Sequence, residues 1–81
     1  MHEQINNAII EAYFSYVGCL IIGHLENEIE RFCFVNGFDG EMKRGKGILS
    51  KPLYVRIKAP SNYATFIIKT LENYGGNTNK I

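Results

Sequence analysis

The chain has 81 residues, of which 46% are hydrophobic and 12% aromatic, and its formal net charge is +1. This composition excludes an intrinsically disordered chain, because the apolar content is high and the net charge is low. The charges are sorted by position: seven of the eight acids lie in residues 1–41 and eight of the nine bases lie in residues 42–81. Two halves of opposite sign therefore underlie the near-neutral total.

The first half of the chain predicts a helix followed by a hairpin. Apolar residues spaced as on a helix face begin at Ile5 and include Ala8, Ile9, Ala12, Tyr13, Tyr16 and Leu20. A second apolar stripe contains Ile10 and Phe14, and such a wide apolar arc predicts a homodimer through these residues or through neighbouring aromatics on the outer sheet face. Residues 19–24 and 29–35 predict two strands, with a helix over the second segment as the alternative.

The second half predicts a loop, a strand and a helix. Turn dipeptides at Asn36-Gly37 and Asp39-Gly40 open a loop that extends to Gly47. Strict alternation of apolar and polar residues predicts a strand over residues 53–59, and a helix follows from Pro60-Ser61 to Gly75-Gly76. The sequence therefore predicts one α+β domain over residues 1–76, in the order α-β-β-β-α, with a short antiparallel sheet packed against two helices. Residues 77–81 are predicted to be a frayed tail.

Two sets of residues are candidate partner-binding sites. On a strand, Glu26, Glu28 and Glu30 would share one face with Phe32 and Phe34, beside Tyr54 of the next strand. Such a surface could dock on a protein, whereas cross-strand ion pairs and ordinary core packing are the structural alternatives. The second set could contact phosphate or an acidic partner, and it comprises Lys43, Arg44, Lys46, Arg56 and Lys58.

No residue pattern predicts catalysis. The sequence has no paired carboxylates, no nucleophile motif and no metal-ligand spacing, so we expect no enzyme, no cofactor and no metal. Cys19 and Cys33 are predicted to be buried and reduced, and residues 1–4 show no basic segment of the kind that opens a signal peptide. These features predict a cytoplasmic protein, in a host cell, that does not bind membranes.

The predicted element order resembles that of the double-stranded-RNA-binding domain. Where that family carries a basic cluster at the start of its last helix, this chain has Pro60-Ser61-Asn62-Tyr63-Ala64, so the resemblance is limited to topology. In its size, its abundance of residues with AT-rich codons, its opposed charges and its lack of motifs, the chain resembles small anti-defence proteins of phages, such as anti-CRISPRs. We therefore expect a non-enzymatic protein, encoded by a phage or mobile element, that binds and inhibits a host macromolecule. A nucleic-acid-binding module and a self-assembling subunit are the alternatives.

Overall fold

The computed structural model describes residues 6–81 and confirms the predicted α+β class. A four-stranded antiparallel sheet packs against two helices, and the elements follow one another as β-α-β-β-α-β instead of α-β-β-β-α. A 3₁₀ turn at Ser61–Tyr63 leads into the second helix. The elements are β1 (Asn7–Gly18), α1 (Ile22–Asn36), β2 (Asp39–Arg44), β3 (Ser50–Pro60), α2 (Ala64–Asn73) and β4 (Asn77–Lys80).

The strands lie in the order β2-β3-β1-β4, and each is antiparallel to its neighbours. β1 and β2 are thus parallel with β3 between them, and β3 and β4 are parallel with β1 between them. This is the split β-α-β, or ferredoxin-like, topology. The buried side chains of both helices share one core with the buried side chains of β1 and β3, so both helices lie on the same face of the sheet.

The prediction of a helix over the first part of the chain is wrong, because residues 7–18 form β1. Buried and more exposed residues alternate along this strand, and the buried ones, among them Ile10 and Phe14, face the helices. Ile10 is 0% exposed and Phe14 is 3% exposed, so neither can contribute to a dimer surface as predicted. Ile5, predicted as the start of the helix, and residues 1–4 lie outside the described residues.

The predicted hairpin over residues 19–35 is also wrong. Residues 19–21 form a turn and α1 follows, so the helical alternative for residues 29–35 holds. The helix ends at Gly37, which has a left-handed φ of 70°, and the amide of Phe38 donates a hydrogen bond to the carbonyl of Cys33 at 2.8 Å. Glycine favours this position because it has no Cβ to clash in the left-handed conformation.

The structure of the second half of the chain agrees more closely with the prediction from the sequence. β3 contains the predicted strand, and α2 occupies the predicted final helix, with Gly75 in a left-handed conformation after it. Val55, Ile57, Ile67 and Leu71 lie together in the buried core. Two segments differ from the prediction: part of the predicted loop forms β2, and the predicted frayed tail forms β4, which pairs with residues 10–13 of β1.

The two helices cover one face of the sheet, and their buried side chains complete the core. α1 contributes Ile22, Ile29 and Cys33, while α2 contributes Ala64 and Leu71 together with Ile67. The helix-facing side chains of β1 and β3 supply the other half of this layer. Within residues 6–81, no element covers the opposite face of the sheet.

Candidate functional site: the open face of the sheet

The uncovered side of the sheet, which we call the open face, carries polar and aromatic side chains from all four strands. Strand alternation directs every second side chain to this side, and the burial pattern of β1 and β3 identifies which ones. Part of the surface is a shallow hollow of about 750 Å³. The open-face residues are Ile9, Glu11 and Tyr13 of β1, Asp39, Glu41 and Lys43 of β2, Tyr54, Arg56 and Lys58 of β3, and Asn77 and Asn79 of β4.

Two tyrosines form the aromatic centre of the open face. Tyr13 and Tyr54 are cross-strand partners on the two central strands, and their ring centroids are 5.0 Å apart with a tilt of 42°. Tyr13 is 38% exposed and Tyr54 is 47% exposed. The pKa of Tyr13 is raised, mainly by partial desolvation and to a smaller extent by the neighbouring Tyr54. The pair therefore presents two rings, still in part accessible, at the middle of the sheet.

The charges around the tyrosines are balanced, with three bases and three acids. Arg56 on β3 lies between Glu11 on β1 and Glu41 on β2, and Lys58 lies opposite Asp39. In the part of the chain that the structure describes, none of these groups has an oppositely charged atom within 4.0 Å. Their charged ends are thus available to a partner.

The acidic residues singled out in the sequence do not form a strand face, because they lie on α1. Glu26 accepts a hydrogen bond of 2.7 Å from Nε of Arg44 on β2, and this bond holds the pKa of Glu26 below its usual value. Glu28 lies one helical turn from His24, with 4.0 Å between Oε1 and Nε2. Glu30 is exposed on the helix. The structure therefore separates these three residues from the open face.

Neither predicted phenylalanine lies on the open face. The ring of Phe32 packs against Phe38 and Phe66 at centroid distances of 5.7 Å and 5.3 Å, beside the core. Phe34 is 86% exposed near the end of α1. Of the predicted aromatics, Tyr54 alone contributes to the open face, and the strand alternation of residues 53–59 predicts its direction.

The predicted basic residues divide into two groups. Lys43, Arg56 and Lys58 lie on the open face with Tyr54, so the structure brings together four of the predicted site residues. Arg44 points to the helix side and pairs with Glu26, and Lys46 is exposed in the loop between β2 and β3. The sequence interpretation missed the other open-face residues. The alternation of Ile9, Glu11 and Tyr13 with buried residues was the available signal for β1.

The two cysteines differ in environment. Cys33 is buried between α1 and β2, and this burial raises the pKa of its thiol, with smaller effects from Asp39 and Glu30. Cys19 is exposed, which contradicts its predicted burial, and both are free thiols. Among residues 6–81 there is no group of three or more side chains that could hold a metal ion. The same residues include no helix long and apolar enough to cross a membrane.

Comparison with protein-family models, with curated proteins and with solved structures gives no match. The fold and the open face therefore define the class of protein by themselves: a small split β-α-β domain with one uncovered sheet face. Because this topology supports many unrelated functions, any functional conclusion depends on the residues of the face and not on the fold.

Proposed function

We propose that this chain is a non-enzymatic binding protein and that the open face is its interface with a protein partner. The observation that carries the proposal is the Tyr13–Tyr54 pair, with Arg56 beside it, at the centre of a sheet face that no described element covers. Tyrosine and arginine are the residue types that dominate binding energy at protein interfaces, where they lie near the centre of the contact. Charged residues such as Lys43 and Asp39 lie towards the edge, as in an interface rim.

The charge pattern favours a protein over a nucleic acid as the partner. A phosphate backbone is bound by net positive charge, and three acids on the open face offset its three bases. Glu11 and Glu41 flank Arg56 on both sides, so a phosphate that approached this guanidinium would also meet two carboxylates. A protein can place both signs of charge opposite a mixed surface, which gives specificity in partner choice.

The hypothesis drawn from the composition, that the chain comes from a phage or mobile element and inhibits a host macromolecule, remains part of this proposal. An inhibitor of this kind needs one accessible surface that covers a functional site of its target, and the open face would be that surface. Inhibition then requires no chemistry from the chain itself.

Single-stranded nucleic acid is the second candidate partner. Bases can stack on aromatic side chains of an open sheet face, and Tyr13 and Tyr54 occupy adjacent central strands with Lys43 and Arg56 nearby. The acids on the same face oppose this function. The two candidates differ in what residue 54 contacts, so one crosslinking experiment separates them.

We suggest a photocrosslinking test in the native host with Tyr54→p-benzoylphenylalanine, which keeps an aromatic ring at the centre of the open face. The matched control is Lys69→p-benzoylphenylalanine, on the exposed side of α2. The proposal predicts protein adducts from position 54 that are absent from position 69 and that Tyr13→Ala diminishes. Nucleic-acid adducts at position 54 would support the second candidate. Equal adducts at both positions, or none at position 54, would contradict the proposed function.

A further inference from the structure

The exposed residues of the open face are arranged so that they could pair with the same residues of a second copy of the chain. The register of the sheet places the exposed residues in rows that run across the strands. From β2 to β4, the first row is Lys43, Tyr54, Tyr13 and Asn77, and the second row is Glu41, Arg56, Glu11 and Asn79. The central members of these two rows are complementary across β3 and β1, and a third row contains Asp39, Lys58 and Ile9.

A two-fold axis parallel to the strands, between β1 and β3, uses this complementarity. Such an axis places β3 of one copy over β1 of the other. Each row of one copy then faces the same row of the second copy, in reversed order across the strands. Arg56 then faces Glu11 of the second copy, and Tyr54 faces Tyr13 of the second copy, with both contacts repeated by symmetry. Sheets that pack face to face in this aligned manner keep their strand directions within about 30° of each other.

A two-fold axis perpendicular to the strands is unfavourable where it passes through the second row. An axis perpendicular to the strands through the second row would place Arg56 against Arg56 and Glu11 against Glu11. Like charges in direct opposition at an interface are strongly unfavourable. The charges therefore favour the axis parallel to the strands over a perpendicular axis through the second row.

From this arrangement we propose that the open face binds a second copy of the chain, through the axis parallel to β1 and β3, and that this copy competes with a host target for the same surface. The inference rests on the proposed function, namely that the open face is a protein interface. The four tyrosine rings, two from each copy, would fill the hollow between the facing sheets. Balanced charge on one copy meets balanced charge on the other, so the dimer forms without net repulsion across the interface.

The size of the face sets the expected strength of the dimer. Four strands spaced about 4.8 Å apart, each contributing about six residues, give a face of roughly 300–400 Å² per copy. A standard stable interface buries about 800 Å² per partner. The dimer should therefore be weak, with a dissociation constant on the order of micromolar or above, and it should be measured at high protein concentration.

A charge-swap experiment tests the pairing directly by sedimentation equilibrium. Glu11→Arg places arginine opposite Arg56, and Arg56→Glu places glutamate opposite Glu11, so each variant alone should lose dimerisation by about 100-fold or more in Kd. An equimolar mixture of the two variants should dimerise again, because both contacts then pair opposite charges. The double variant Glu11→Arg/Arg56→Glu should also dimerise. Lys69→Glu, a charge reversal on α2, should dimerise like the unmodified chain.

The outcomes separate this inference from the proposed function. A monomeric unmodified chain at high concentration, or a dimer that persists in both single variants, would overturn the inference. Failure of the mixture to dimerise would also overturn it, provided that urea unfolding shows each variant to be folded. A monomer whose residue 54 still crosslinks to another protein in the host would refute the dimer and retain the proposed interface. If the chain is monomeric and residue 54 crosslinks to no protein, both the dimer and the proposed protein interface are refuted.

Discussion

At the scale of single residues, the pair of Glu26 and Arg44 links α1 to the edge strand β2. The Glu26 side chain is 23% exposed and that of Arg44 is 42% exposed, so solvent screens the pair only in part. The hydrogen bond from Arg44 lowers the pKa of Glu26 below its ordinary value of 4.5. Folding thus favours the ionised carboxylate, and this contribution to stability is present above pH 4.5 and disappears as the pH falls through the lowered pKa.

We therefore expect Glu26→Gln to lower the free energy of unfolding by about 0.5–1 kcal/mol at neutral pH. At pH values below the lowered pKa the parent carboxyl is protonated, so the two proteins should become equally stable. Urea unfolding across this pH range measures the difference. Glu30→Gln, which changes an exposed glutamate of the same helix, is the control and should have little effect. A difference for Glu26→Gln that is constant with pH would show that the ion pair contributes nothing.

At the scale of elements, β1 shows why the sequence predicted a helix where the structure has a strand. Its buried residues alternate with a period of two, but Ile9 and Tyr13 on the open side are also large and apolar. Apolar residues at both parities also satisfy the spacing of a helix, so periodicity alone does not separate the two structures. The same two residues lie on the candidate site. An open face that binds a partner carries apolar groups where a solvated strand would carry polar ones.

α1 was misread for a different reason. Its segment is rich in aromatic and β-branched residues, which favour strands, and its N-cap residue Ile21 makes no side-chain capping bond. Exposed Phe34 and Val35 further obscure its amphipathic pattern. By contrast, β3 was predicted correctly because its exposed positions are polar or amphipathic. Three of the four predicted site residues that lie on the open face, Tyr54, Arg56 and Lys58, belong to this strand. β4 has a polar sequence whose strand structure depends on pairing with β1, so a local pattern did not reveal it.

Two glycines, one at each end of α1, provide a test of this element. Gly37 adopts a φ of 70° at the end of the helix, so Gly37→Ala should lower the free energy of unfolding by about 1 kcal/mol. Gly23 lies in the first turn, and the nearest atom to a Cβ there, beyond the backbone of the helix, would be Arg44 Nη2 at 3.9 Å, which is ordinary contact. Gly23→Ala should therefore stabilise the protein by about 0.4–1 kcal/mol. Thermal or urea unfolding measures both changes, and effects of the same sign would contradict this helix.

At the scale of the whole molecule, the fold mixes the two oppositely charged halves of the sequence. β3 belongs to the basic half, and it lies between β1 of the acidic half and β2, which spans the boundary between the two halves. The open face consequently has three bases and three acids in place of a field of one sign. A surface of this kind lacks the excess positive charge that drives non-specific binding to nucleic acid.

We expect the unmodified chain to bind a fluorescent single-stranded oligonucleotide no more tightly than about 100 μM at physiological salt, by anisotropy. If the acids of the open face cause this weak binding, the triple variant Glu11→Gln/Asp39→Asn/Glu41→Gln should bind the oligonucleotide more tightly. The affinity of this variant should fall steeply with salt, since up to about three counterions are released. Lys69→Gln, away from the open face, should not alter binding. Submicromolar, salt-sensitive binding by the unmodified chain, lost in Lys43→Gln/Arg56→Gln/Lys58→Gln, would instead make the open face a nucleic-acid site, with its acids tolerated and its tyrosines stacked on bases.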